Sequence, residues 1–302
     1  MKTTKFKIWL KAFRLRTLPL ALANAVMGSF LALDEKGFKW EIFVLTVCTI
    51  TFLQILSNLA NDYGDAVSGA DKPDRTGPLR VTATGLVSLK EMKRMLIVFV
   101  LLSIISGSIL IYFGLKEVEW KLIILFFVLG AAAIAAAIKY TVGKNPYGYK
   151  GLGDIFVFLF FGLVGVIGTF FLHTNTFNLH VIIPAAIIGF MSTAVLNINN
   201  LRDLQDDKRS GKRTLAVQHG YSFTRKYHLA LIGSAWLFTF LFTITRFHSA
   251  WQFLPLITFP LFIHNCWKVY HYDDSSELNV ELKNLALATF LFSLTFGLGI
   301  VL

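Results

Sequence analysis

Carboxylates, carboxamides and cations crowd into residues 58–80, N-L-A-N-D-Y-G-D-A-V-S-G-A-D-K-P-D-R-T-G-P-L-R. Asp62, Asp65, Asp71 and Asp74 sit there among Lys72, Arg75 and Arg80. If the preceding helix runs through the start of this stretch, Asn58, Asn61 and Asp65 share one face with Asp62 beside it. A second stretch, Asn199-Asn200-Leu201-Arg202-Asp203-Leu204-Gln205-Asp206-Asp207, is closed by Lys208, Arg209, Lys212 and Arg213. Its Asn199, Asp203 and Asp207 fall at i, i+4 and i+8, again one helical face. Acidic side chains packed together repel unless a cation neutralises them. Two such clusters, with amide oxygens from Asn58, Asn61, Asn199 and Asn200, make a hard oxygen-donor site. Mg²⁺ suits it, because Mg²⁺ binds through a few carboxylates plus phosphate oxygens and water. Arg75, Arg80, Arg202, Lys208, Lys212 and Arg213, with Lys72, are then natural partners for phosphate charge. The bland alternative is a pair of solvated loops whose charges merely cancel. Two clusters with matching Asn/Asp spacing favour the site.

Several chemistries are absent from the chain. Gly211-Lys212 lacks the G-x-x-x-x-G-K-[ST] spacing of a nucleotide phosphate loop, so triphosphate hydrolysis is not indicated. There is no G-x-S-x-G elbow and no H-E-x-x-H, and the seven histidines are scattered. Cys48 and Cys266 lie far apart in apolar runs and read as small core hydrophobes.

The elements that must position the clusters are apolar helices. Of the 302 residues 55% are apolar and only 16% charged, a composition foreign to soluble globular domains. Apolar runs near the roughly 20 residues that cross a bilayer recur along the whole chain. They predict an all-α membrane protein with nine spans in one bundle around a central cavity, near 17–34, 41–61, 95–114, 120–138, 154–173, 181–199, 227–245, 251–270 and 284–302. The net charge of +11 is not a nucleic-acid footprint, because it alternates between loops. The N-terminal segment and every second loop carry 24 of the 29 Lys and Arg residues; only Lys36, Lys39, Lys116, Lys121 and Arg246 fall on the other side. By the positive-inside rule the N-terminus and both acidic clusters face the cytoplasm. Arg16 counts among those inside charges, and Tyr140 and Tyr149 read as interfacial aromatics. Four spans separate the clusters, so motifs near 58–80 and 199–214 would mark two parallel half repeats of a single domain, residues 1–302. A metal–diphosphate site at the mouth of an oily bundle fits a diphosphate-bearing lipid as substrate and the lipid bilayer as surroundings.

At this point the residues resemble a family. Asn61-Asp62-Tyr63-Gly64-Asp65 is similar to the N-D-x-x-D motif, and Asp203 with Asp207 to the D-x-x-x-D motif, of the UbiA superfamily of intramembrane prenyltransferases. Where the first motif normally carries another Asp four residues on, this chain has Gly69, followed by Asp71. The string N-D-Y-G-D-x-x-x-G-x-D-K-P-D-R-x-G-P-L-R, the run Gly148-Tyr149-Lys150-Gly151-Leu152-Gly153-Asp154 and the segment Arg14-Leu15-Arg16-Thr17-Leu18-Pro19 resemble the MenA branch, the 1,4-dihydroxy-2-naphthoate polyprenyltransferases. The resemblance implies nine helices around a cavity, with Mg²⁺ held by Asn61, Asp65, Asp203 and Asp207, joined by Asp62 and Asp71, on the diphosphate of a polyprenyl donor. Ionisation of the donor C–O bond then gives an allylic cation that an electron-rich ring captures, and in this branch the acceptor carboxyl leaves as CO₂ to give demethylmenaquinone. Asp65, Asp203, Asp207 and Lys150 would carry the catalysis. Lys150 and Asp154 are candidates for acceptor recognition or diphosphate support, Lys150 by pairing with the naphthoate carboxylate. Rival readings are a relative that prenylates 4-hydroxybenzoate, a secondary transporter with intramembrane acids, and a lipid-binding scaffold without turnover.

Overall fold

The computed structural model describes residues 5–70 and 80–302, and among them every regular element is helical. An amphipathic α1 (Lys5–Phe13) precedes α2 (Leu18–Asp34), α3 (Trp40–Val67), α4 (Leu89–Leu115) and α5 (Trp120–Lys139). Next, α6 (Gly153–Val157) passes through a π-helical turn (Phe158–Val164) into α7 (Gly165–Thr174). The chain closes with α8 (Ile182–Arg202), α9 (Leu204–Arg209), α10 (Leu215–Thr245), α11 (Phe259–His271) and α12 (Leu278–Val301). Eight segments among the described residues are long and apolar enough to cross a bilayer.

The stretch expected as a span at 251–270 is a two-part element. A 3₁₀ helix (Ala250–Thr258) contains Pro255 and leads into α11, which carries Pro260 in its first turn. Each proline removes an N–H donor and clashes with the preceding turn, so a long regular helix cannot form there. Other boundaries move in ways that matter for function. α3 continues past residue 61 to Val67, carrying the first acidic cluster on regular helix. α10 starts at Leu215, where Thr214 caps it by accepting the Val217 N–H, and breaks locally at Gly220 (φ 78°).

Three apolar cores hold the bundle, one of them packing α3 and α4 on α7 through Ile42, Leu110 and Leu172. The largest joins α2, α7, α8, α10, α11 and α12 through Met27, Phe170, Ile187, Trp236, Phe262 and Phe292. A smaller one ties α1 to α3 and α4 through Ile8, Leu56, Leu59, Met92 and Phe99. Only Ala136 is buried along α5, whose other side chains between Lys121 and Lys139 are apolar and half-buried or exposed. The π turn lies directly on α8, and Gly162 makes that approach possible: a Cβ on Gly162 would come 2.6 Å from Gly189 Cα and 2.7 Å from the Ala185 carbonyl. Gly162→Ala should therefore cost about 1–3 kcal/mol by forcing two backbones apart. Thermal unfolding of the purified protein in detergent reads this as a lowered midpoint; an unchanged midpoint would show the helices are free to separate.

Candidate active site

Asn61, Asp62 and Asp65 occupy the last two turns of α3. The negative end of the helix dipole disfavours carboxylates there, so they need cations. Asn199 lies in the last turn of α8, and Asp203 sits at the joint before α9 with φ −90° and ψ 8°. Hydrogen bonding nonetheless runs through the joint: the Asp203 N–H donates to Asn199 O at 3.1 Å and the Asp207 N–H to Asp203 O at 2.8 Å. The i, i+4, i+8 alignment survives a bend, and all three residues line one small polar cavity.

Asp62, Asp65, Asp203 and Asp207 are only 1%, 2%, 5% and 7% exposed. Buried carboxylates persist only when paired, and each has a cation. The Arg202 guanidinium forks onto Asp203, Nε to Oδ1 and Nη2 to Oδ2, both at 2.7 Å, and also donates to Asn199 Oδ1. Asp62 pairs with the Arg14 guanidinium and has Arg80 Nε at 3.6 Å. Arg80 also reaches Asp65 Oδ2 at 2.5 Å and donates to the Asn61 carbonyl at 2.6 Å. The Tyr149 hydroxyl donates to Asp65 Oδ1 at 2.5 Å. Lys212 Nζ lies 3.0 Å from Asp65 Oδ2 and 3.4 Å from Asp207 Oδ1, joining the two acidic turns. Burial pushes the Asp207 carboxyl up to about 6, with Asp203 and Asp65 adding to the shift and Lys212 opposing it. Burial and the Asp65 charge likewise raise the Tyr149 phenol, which keeps it a hydrogen-bond donor. α3 can approach the segment that follows α5 because residue 64 is glycine; a Cβ there would meet the Thr141 carbonyl at 2.7 Å.

Three cavities meet at this point. The polar one, about 50 Å³, is bounded by Asn61, Asp65, Asp203, Asp207, Lys212 and Tyr140 among others. An apolar one of about 340 Å³ extends between α3, α5 and α7 past Phe126, Phe156, Phe160 and Leu172. A third, about 460 Å³, lies under the N-terminal segment and holds Lys11, Arg14, Arg16, Gln54, Ser192 and Arg202. Asn61 and Asn199 border all three. A polar group, an oily chain and a third molecule with anionic character can therefore converge on one place.

Comparison with known proteins gives this geometry a family. The sequence profile of the UbiA prenyltransferase family matches residues 21–299. The chain belongs to that family. Similar relatives are the 1,4-dihydroxy-2-naphthoate octaprenyltransferases of Haemophilus influenzae, 42% identical over 100% of this chain and 98% of the relative, and of Escherichia coli, 42% identical over 99% and 96%. Among solved structures, a UbiA homolog from Archaeoglobus fulgidus bound to GPP and Mg²⁺ superposes with a TM-score of 0.67 at 17% identity, covering 97% of this chain and 99% of that one. At that identity the likeness speaks for the fold.

The residues singled out by sequence divide into groups. Asn61, Asp65, Asn199, Arg202, Asp203, Asp207 and Arg80 border the polar cavity. Asp62 borders the neighbouring basic cavity instead, held there by Arg14 and Arg80. Asn58 lines the same cavity, but its amide donates to Phe13 O at 2.9 Å and Thr17 Oγ1 at 3.0 Å, tying α3 to the N-terminal segment. Asp71, Lys72 and Arg75 lie outside the described residues.

Four of the expected residues lie away from the three cavities. Lys150 is exposed at the end of a 3₁₀ turn (Tyr147–Lys150) and borders none of the three cavities, because left-handed Gly151 (φ 78°) swings the chain away into α6. Asp154 is buried against the Tyr227 hydroxyl of α10 rather than facing the cavity. Lys208 and Arg213 are exposed outside the polar cavity; Arg213 contributes its backbone N–H, which holds the Tyr149 carbonyl at 2.9 Å. Sequence reasoning also missed contributors. Tyr140 and Tyr149 belong to the site, not to an interfacial belt, and Arg16 opens into the basic cavity. Arg14, an element of the R-x-R-T-L-P string, adopts a left-handed backbone (φ 49°) and bonds Asp62. Strain of that kind persists where surrounding contacts fix it.

Among the described residues no three acidic or histidine side chains already converge as a metal cage. The donors are nevertheless hard oxygens, and the Lys212 ammonium between Asp65 and Asp207 marks where positive charge is stabilised. The residues present fit a divalent ion whose remaining ligands are phosphate oxygens and water. Arg80→Ala should cost about 3–5 kcal/mol of stability, since it strips a partner from two buried carboxylates at once. Chemical unfolding in detergent measures it; a loss below about 1 kcal/mol would mean that Arg14, Lys212 and water suffice.

Proposed function

We propose that the protein transfers a polyprenyl group from polyprenyl diphosphate to 1,4-dihydroxy-2-naphthoate, with loss of CO₂ and diphosphate, in menaquinone biosynthesis. The observation that carries this is the meeting of polar, apolar and basic cavities at Asn61 and Asn199. Full-length similarity to proteins named for that acceptor supports it. Mg²⁺ held by Asp65, Asp203 and Asp207 with Asn61 would neutralise the diphosphate and make it a better leaving group. Arg14, Arg80, Arg202 and Lys212 border the same cavity and complement the charge on the departing diphosphate. The apolar cavity takes the first isoprene units and excludes water, so the allylic cation is not quenched.

The basic cavity suits an aromatic carboxylate. Arg16 sits in it, Gln54 Oε1 and Ser192 Oγ are buried there without hydrogen-bond partners among the described residues, and Leu20, Phe161 and Val195 give it apolar walls. Arg16 would hold the acceptor carboxylate while Gln54 and Ser192 take its hydroxyls, which presents a ring carbon at the junction. Nine crossings, counting the broken 251–270 stretch, with a cytoplasmic N-terminus complete the proposed topology. The site then opens to the cytoplasm from a bacterial cytoplasmic membrane, and the two acidic turns head parallel half repeats of one domain.

Two sets of variants test the reading by steady-state kinetics on purified protein with both substrates. Asp65→Ala and Asp207→Ala should each lower kcat about 10²–10³-fold, and omission of Mg²⁺ should abolish turnover. Arg16→Ala should raise the acceptor KM by about tenfold to a hundredfold with the donor KM unchanged. Metal-independent turnover, or an Arg16 variant altered only in donor KM, would contradict the assignment.

A further inference from the structure

Lys212 stands where the two halves of the site touch. Gly211 (φ 76°) ends α9 in the left-handed region, and the Lys212 N–H donates back to Asp207 O at 2.9 Å. The side chain then folds inward over the same aspartate, with only 13% of it exposed. Its ammonium sits 3.0 Å from Asp65 Oδ2, 3.4 Å from Asp207 Oδ1 and 4.9 Å from the centre of the Tyr149 ring. Two carboxylates and an aromatic face thus hold one positive charge, the carboxylates coming from α3 and α9. A divalent ion on those oxygens sits about 2.0–2.1 Å away if it is Mg²⁺. An ammonium in hydrogen-bond contact with the same oxygens would face it at close range with like charge. Lysine and metal therefore compete for those oxygens.

We propose that Lys212 is a built-in counter-ion that clamps Asp65 to Asp207, competes with the divalent ion for them, and gives way when the donor's diphosphate offers its ammonium a new anionic partner. The inference rests on the metal–diphosphate reading of the site and adds coupling to it. Metal alone binds weakly because it must displace the lysine. Diphosphate receives the displaced ammonium, so each ligand strengthens the other by the same factor. Lys212 is then a positioning residue for the metal as well as a phosphate partner, and the bare site resists idle loading.

The test is Mn²⁺ binding to the purified full-length protein in detergent, followed by calorimetry or by the spectrum of free Mn²⁺, with and without inorganic diphosphate. For the wild type, diphosphate should tighten Mn²⁺ binding on the order of tenfold or more. Lys212→Gln should bind Mn²⁺ alone on the order of tenfold more tightly than wild type and lose most of that enhancement. Lys212→Arg, which keeps the charge, should stay close to wild type. A Lys212→Gln protein that binds Mn²⁺ alone no better than wild type overturns the proposal, because a lysine that only touches phosphate leaves metal affinity unmoved. Should that variant fail to fold, the wild type decides: equal Mn²⁺ affinity with and without diphosphate overturns it as well. No Mn²⁺ binding under either condition, in any of the three proteins, would remove the metal–diphosphate reading itself.

Discussion

A carboxylate buried in an oily bundle cannot stay charged alone, and the site of this protein is built around satisfying Asp65. It is almost fully buried near the C-terminal end of α3, where the helix dipole opposes negative charge. Three groups from three separate parts of the chain answer that cost: Arg80 from the segment before α4, Tyr149 from the turn before α6, and Lys212 from the turn after α9. Each contact ties its own segment to the end of α3. The charge requirement of one side chain thereby folds the mouth of the bundle. The same requirement, repeated at Asp62 by Arg14 and at Asp203 by Arg202, closes the ring.

That ring divides the interior by chemistry. Charged groups stay on the polar side, while Phe156, Phe160 and the small residues of α5 line the apolar side. The proposed reaction, which ionises an allylic diphosphate, asks little covalent chemistry of the protein. Placement, charge complementarity and exclusion of water would supply the catalysis, and those are properties of cavity walls. Asn61 and Asn199 have neutral heads that accept and donate at the common boundary without adding charge to it. The barely buried α5 forms one wall of the apolar cavity. Along that wall the enclosed space runs close to the lipid-facing surface, which suits a substrate whose tail belongs in the membrane.

Much of this was legible in the sequence because it depends on local period. Asn58, Asn61 and Asp65 fall three and four residues apart, and α3 does continue through them. Asn199, Asp203 and Asp207 keep their alignment even across the joint at Asp203. Hydropathy located eight of the membrane-length helices, and Pro255 and Pro260 are the visible reason that the remaining stretch breaks. Long-range pairings were not legible. Nothing in the local pattern distinguishes Lys212 from Lys208 or Arg213; a left-handed glycine turns the first inward and leaves the others exposed. Lys150 and Tyr149 are adjacent, yet the 3₁₀ turn sends the tyrosine to Asp65 and the lysine to the surface. The membrane-facing bias of aromatic residues hid Tyr140 and Tyr149, and the inside bias of basic residues hid Arg16.

The acceptor's own atoms report the reaction most directly. Purified protein is given a polyprenyl diphosphate and 1,4-dihydroxy-2-naphthoate carrying an isotopic label in its carboxyl group, and the products are weighed by mass spectrometry. The expected result is a prenylated naphthalenediol that has lost the label, matched by an equal amount of labelled CO₂, and no product from 4-hydroxybenzoate under the same conditions. A prenylated product that retains the label, or faster turnover of 4-hydroxybenzoate, would contradict it.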